Sequence, residues 1–291
     1  MAENNPNNAN RGTGGAVINS QPPVEQGNHL FTGIQARFRF VYSLGEYILL
    51  LLAVVKAVIR KPPSFYLILK QLYDDGVASL PVVAITGFST GLVLAAQSFY
   101  QLADKGLTGI TGVLVGKAVI TELGPVLTAF MVTGRVGAAI CAELGTMRVT
   151  EQIDALHTMA VNPNRYLVAP RLIASIFMLP LLTIFSIIMG IFGGYLISVY
   201  FFGMAPTSYY DPMRDHITFF DLFTGLVKAF VFGIFIATIS CYKGMTTSGG
   251  AAGVGKSTTS SVVISYCWIL VSNFFLTMAL NAIHELLNKI L

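Results

Sequence analysis

Apolar residues along this chain gather in long runs rather than alternating with polar ones. The first run extends from about Leu80 to Ala103, with no charge between Asp75 and Asp104. The second, about Gly112 to Ala142, contains Lys117, Glu122 and Arg135. The third, about Leu172 to Phe202, is uncharged and carries Gly190, Gly193 and Gly194. The fourth, about Leu222 to Tyr242, has Lys228 near its start, and the fifth, about Thr258 to Ile283, is uncharged. A helix needs roughly 20 mostly apolar residues to cross a bilayer, and each run is long enough. The pattern predicts an all-α membrane protein with five transmembrane helices.

Upstream, residues 37–61 (RFRFVYSLGEYILLLLAVVKAVIRK) have a shorter apolar core bounded by Glu46 and Lys56, with basic ends. This predicts a helix lying in the membrane interface, cationic residues among the headgroups, with a true span carrying two buried charges as the rival reading. Residues 1–36 are polar and rich in Asn, Gly and Pro; such a segment lacks the apolar content to fold and is expected to be a disordered tail. No apolar core near Met1 suggests a cleavable signal peptide. The folded domain is therefore expected at 37–291.

Composition agrees: 54% of the 291 residues are hydrophobic and 11% charged, against about 25% charged in soluble domains. Mean hydropathy is +0.68. The net charge of +4 matters less than its placement. Arg37, Arg39, Lys56, Arg60, Lys61 and Lys70 precede the first span, Arg148, Arg165 and Arg171 follow the second, and Lys243 and Lys256 follow the fourth. The other side has Lys105, Arg214 and Lys289. Basic loops face the cytosol, so the N-terminus is expected inside and the C-terminus outside. Cys141, Cys241 and Cys267 have no paired spacing, which argues against a disulfide framework or a zinc site.

One stretch advertises a different chemistry. Gly250, Gly255, Lys256 and Ser257 satisfy G-x-x-x-x-G-K-[ST], the phosphate-binding loop pattern. That loop needs a strand before it and an acidic magnesium ligand elsewhere. Here a membrane span precedes it, and Glu285 is the sole acid that follows Asp221. The expectation is a glycine-rich cytosolic turn, with Lys256 at the membrane boundary and Ser257 to Ser261 opening the last helix. No catalytic residue, cofactor or metal site is expected.

Residues 121–171 are the most informative. Pro125 removes a helical hydrogen bond and frees the carbonyl of Thr121, which needs a polar neighbour at that depth. Glu122 should likewise face protein or a cavity. Gly134, Gly137, Ala138 and Ala142, like Gly190 and Gly194, suit close helix packing. Thr150 to Ala160 reads as a short amphipathic helix in a loop, with Thr150 as cap, Asn162-Pro163 as stop, and Ile153, Leu156, Met159 and Ala160 on one face.

The run ELGPVLTAFMVTGRVGAAICAELGTMRVTEQIDALHTMAVNPNRYLVAPR, with the later GGAAGVGKSTTSSVV, closely resembles the MlaE/YrbE permease family, membrane subunits of MCE-type lipid ABC transporters. The resemblance covers roughly residues 38–287; at Thr121 some family members carry arginine. It implies a homodimeric permease of the bacterial inner membrane that moves phospholipid. It implies three kinds of protein partner: a separate cytosolic ATPase, a periplasmic MCE-domain protein and a small STAS-type accessory subunit. No nucleic acid is implied. The short helix would couple to the ATPase through Glu151, Ile153, Asp154 and Leu156. A lipid cavity is expected from spans one and two: Val82, Ile85, Phe88, Leu92 and Phe99, with Glu122 and Pro125. The alternatives are an ion-coupled secondary transporter built on Glu122, and an intramembrane enzyme using Glu122, Glu143 and His157.

Overall fold

The computed structural model describes residues 45–56, 58 and 62–290. The tail expected at 1–36, and residues 37–44, 57 and 59–61 of the expected interfacial helix, lie outside the described residues. Among the described residues the secondary structure is helical, with no strand.

Helix α1 covers 45–56; it buries Val54 and exposes Ile48, Leu49 and Leu52. It is tied to the rest of the chain through Tyr242, whose hydroxyl donates to Glu46 and whose ring meets Tyr47 edge-on at 4.5 Å. Five helices are long and apolar enough to cross a membrane: α2 (Phe65–Ala103), α3 (Thr108–Val149), α5 (Asn164–Phe201), α7 (Phe219–Met245) and α8 (Gly250–Ile290). Two short helices cap opposite ends of the bundle: α4 (Gln152–Thr158) between α3 and α5, and α6 (Pro206–His216) between α5 and α7.

The long helices pack in a defined order. Helix α2 lies along α5, α5 against α7, and α7 against both α3 and α8. Helix α7 is the most enclosed, with 56% of its apolar window buried against 11% for α8. The core therefore sits where α3, α5 and α7 meet, around Val132, Val136, Ile140, Leu144, Leu179, Phe232 and Ile236. A capping box at Thr218 and Asp221 starts α7.

Glycines set the distance between α2 and α5. A Cβ on Gly91 would stand 1.8 Å from the carbonyl oxygen of Gly190, and one on Gly193 would stand 2.4 Å from that of Phe88. The two backbones touch, the arrangement that small residues permit in membranes. At the α6 end, Tyr209 is fully buried; burial pushes its phenol above the ordinary tyrosine value. A Cβ on Gly194 would come within 2.6 Å of that hydroxyl.

Helices α3 and α5 are not uniform. Each contains two π-turns, at Val119–Leu123 and Thr133–Gly137 in α3 and at Asn164–Val168 and Ile197–Phe201 in α5. Such turns are rare and often mark functional positions.

Two expectations need correction. The glycine-rich segment is not a turn: α8 begins at Gly250 and runs unbroken through Gly255, Lys256 and Ser257, leaving Thr246 to Gly249 as the connection from α7. The left-handed backbone needed there falls on Gly249 and Gly250, at φ 90° and 67°. The amphipathic helix is also shorter than 150–160. Thr150 does not cap it; its hydroxyl donates to Thr146 O, and Glu151 takes the N-cap position at φ 59° without a side-chain cap. Met159 and Ala160 lie beyond the helix end, and Ala160 is itself left-handed at φ 57°.

Candidate functional site

Charges inside apolar spans are costly and mark function by default, so the site is built from them. The first π-turn of α3 carries Glu122, and Pro125 follows it. Lys228 reaches across from α7 with a side chain that is 0% exposed. Its Nζ donates to Glu122 Oε1 at 2.6 Å and to Thr121 O at 2.9 Å. The carbonyl freed by Pro125 is thus served by the lysine that neutralises the neighbouring carboxylate.

Helix α8 completes the cluster. Asn273 Nδ2 donates to Glu122 Oε2 at 2.9 Å, and Thr277 Oγ1 to Oε1 at 3.0 Å. Asn273 Oδ1, also buried, has no hydrogen-bond partner among the described residues. The pair is asymmetric: Lys228 is enclosed, whereas the Glu122 side chain keeps 36% of its surface open. One face of the cluster is dry protein and the other is accessible. Such a group can hold a polar or zwitterionic moiety at a depth where hydrocarbon offers it nothing. Among the described residues, no group of three His, Cys, Asp or Glu could hold a metal.

The sequence reading found Glu122 and Pro125 but not Lys228, Asn273 or Thr277 as their partners. A signal existed for Lys228: it and Glu122 lie on spans that descend from the same end of the bundle, at comparable depth. For Asn273 and Thr277, polar but uncharged in a long apolar helix, the signal was faint.

The residues expected from span one lie elsewhere within a single chain. Val82 and Ile85 are 42% and 68% exposed on the outside of α2. Phe88 meets Phe192 of α5 at 6.1 Å between centroids, Phe99 stacks on Phe202 at 4.1 Å, and Leu92 is half-buried. The turn bearing Glu122 packs on α5 and α7 rather than α2, and Pro125 faces Gly225 of α7. One chain alone does not gather these residues around Glu122.

At the other end, α4 is anchored by Ile153, 2% exposed, with Leu156 half-buried. Asp154 binds Arg148 Nη1 at 2.6 Å, fastening α4 to the end of α3. Glu151 is exposed. Beneath, the buried Arg171 of α5 pairs with Glu143 of α3 at 2.7 Å. Glu122, Glu143 and His157 do not converge: Glu143 is held by Arg171, and His157 is exposed on α4.

In a straight helix the backbone amides point into the helix's own carbonyls, so the interior of the Gly250–Ser257 run cannot ring a phosphate. The purified chain is expected to bind no fluorescent ATP analogue, with Lys256→Ala indistinguishable from wild type. Saturable binding lost on that substitution would restore the phosphate-loop reading.

Comparison with known proteins gives the chain its relatives. The family model described as Permease MlaE matches residues 68–279. The chain is 45% identical over 239 residues to a probable ABC transporter permease protein of Rickettsia felis, covering 82% of this chain and 92% of that protein. It is 35% identical over 225 residues to the intermembrane phospholipid transport system permease protein MlaE of Haemophilus influenzae, covering 76% and 86%. It is 38% identical over 209 residues to the chloroplast protein TRIGALACTOSYLDIACYLGLYCEROL 1 of Arabidopsis thaliana, covering 72% and 60%.

Proposed function

The chain belongs to the MlaE permease family, and from that membership we propose that it is the membrane subunit of an ABC transporter for phospholipid. It works as a homodimer in the bacterial inner membrane. A separate cytosolic ATPase supplies energy, a periplasmic MCE-domain protein exchanges the lipid, and a small STAS-type subunit accompanies the ATPase. The basic residues near the α4 end, with Lys243 and Lys256 of the α7–α8 region, favour a cytosolic placement for that end. This leaves the N-terminus inside and the C-terminus outside.

The observation that carries the reading is the half-open Glu122–Lys228 cluster. A phospholipid presents two apolar tails and a charged head, and its route needs an apolar wall with a few polar groups. In a two-fold assembly each chain brings the same surfaces. The exposed Val82 and Ile85, with Phe88, Leu92 and Phe99 along the same helix, then form wall; Glu122 beside Pro125 marks the polar station. The lack of convergence among Glu122, Glu143 and His157 weighs against an intramembrane hydrolase.

Helix α4 is the coupling element. Ile153 and the Arg148–Asp154 pair fix it to α3 while Glu151 and part of Leu156 remain available to a partner. Leu156→Asp and Glu151→Lys are expected to lower ATPase co-purification and lipid transfer at least tenfold, a loss of about 1.4 kcal/mol in coupling, with membrane insertion unchanged. Pull-down of the tagged chain with lipid mass spectrometry checks this. Recovery of neither an ATPase nor phospholipid with the wild-type chain would refute the proposal.

A further inference from the structure

Four ion pairs join charged side chains in and around the spans: Lys117–Asp221, Arg148–Asp154, Arg171–Glu143 and Lys228–Glu122. Arg135 belongs to none of them. It sits in the second π-turn of α3, Thr133–Gly137, its side chain exposed, and it meets no acceptor among the described residues. At 1.5 Å per residue it lies about 12 Å along the helix from Glu143 and about 20 Å from Glu122. It is therefore inside the apolar body of the span, on the α4 side of the cluster. An arginine at such a depth needs an anion.

The protein does not supply one. Glu122 and Glu143 are already paired within the chain, and a second copy would bring the same pairs. Asp75 is bonded by Gln71 and lies in the field of Arg171 and Glu143, which places it and its neighbour Asp74 at the level of Glu143 rather than of Arg135. The surroundings of Arg135 are suited to a guest. Gly134 contributes no side chain, and a Cβ there would stand 3.0 Å from the hydroxyl of Tyr266 on α8. That hydroxyl donates to Phe130 O at 3.3 Å and lies over the backbone of Gly134, the residue before Arg135.

We propose that Arg135, next to the small Gly134 that Tyr266 overlies, forms a second headgroup station, separate from the Glu122 cluster, that binds the phosphate of a phospholipid on the α4 side. This rests on the phospholipid reading above. The guanidinium fork matches phosphate oxygens in a bidentate fashion, and the acyl tails lie along the exposed apolar face of α8, where Leu270, Phe274 and Met278 are 55–60% exposed. Phosphate is the recognised chemistry, so a lipid without it does not compete, and free phosphate does not follow the arginine to that depth.

The test uses the full chain in nanodiscs with phosphatidylethanolamine that carries a photoreactive headgroup, the crosslinked peptides being mapped by mass spectrometry. Wild type is expected to crosslink both near Glu122 and within 130–137 or at Tyr266. Arg135→Gln is expected to cut the second set about tenfold and leave the first intact, while Arg135→Lys retains most of it. Unlabelled phosphatidylethanolamine should compete, and diacylglycerol or 10-fold excess inorganic phosphate, about an order of magnitude over lipid, should not; competition by free phosphate would make this an ordinary anion site and overturn the proposal. Crosslinking near Glu122 alone in wild type overturns the proposal and spares the phospholipid reading. No crosslinking at either place defeats both. An Asp74→Asn chain that mimics Arg135→Gln would show the anion to be protein, and would also overturn it.

Discussion

The Lys228→Ala chain is expected to lose about 3–5 kcal/mol of stability, the usual scale for breaking a buried ion pair. The enclosed ammonium holds both the Glu122 carboxylate and the Thr121 carbonyl, and no other described cation reaches either. Glu122→Gln is expected to cost as much or more, because the fully enclosed Lys228 ammonium then loses its carboxylate. The new amide can still meet Asn273 or Thr277, but Lys228 stays buried with the Thr121 carbonyl alone. The double substitution Glu122→Gln with Lys228→Met should be more stable than Lys228→Ala, since it removes both charges and restores volume. Thermal unfolding in detergent, followed by size-exclusion chromatography, reads the order. A Lys228→Ala melting temperature equal to wild type would mean that the pair opens to water and that the site is not the dry-backed cluster described.

Gly91→Val is expected to abolish folding, at a cost above about 4 kcal/mol. A Cβ there meets the Gly190 carbonyl at 1.8 Å, and backbone cannot rotate away as a side chain can. Helices α2 and α5 would have to separate along their whole contact. Gly255→Ala provides the control: nothing lies within 4 Å of its Cβ position, and the change should gain up to about 1 kcal/mol of helix propensity. Expression level and monodispersity report both. A well-folded Gly91→Val chain would show that the α2–α5 contact is looser than described.

The sequence made the spans readable because each is a run of apolar residues longer than a soluble helix tolerates. Leu172 to Phe202 illustrates it: no charge interrupts the stretch, and the helix found is Asn164–Phe201. Ends were harder, since glycine is ambiguous. In Gly249-Gly250 it serves a left-handed turn, and five residues later Gly255 is ordinary helix. Thr150 was misleading for a related reason: a hydroxyl that can cap the next helix can as readily bond back to the one it ends. For the polar cluster, local features announced Glu122 and Pro125. Its other members come from positions more than 100 residues away, and an almost uniformly apolar span gives no clue to its rotation. The same uniformity hid the packing of Phe88 onto α5 and of Phe99 onto Phe202 at its end.

The π-turns of α3 can also be considered as angular offsets. Each adds one residue to a turn, and one residue is worth about 100° of rotation about a helix axis. Deleting one residue from Val119–Leu123 would leave the phase nearly unchanged, whereas re-forming that turn as regular α-helix with every residue kept would swing one part of the helix relative to the other by about that angle. The stripe Val132, Val136 and Ile140 would turn from the core, or else Glu122 would turn from Lys228. A second offset at Thr133–Gly137 lies between Glu122 and the pair that holds Glu143. The helix is therefore indexed like a combination dial. Its two polar levels face their partners because the surplus residue at Thr133–Gly137, and no particular side chain, sets the phase between them.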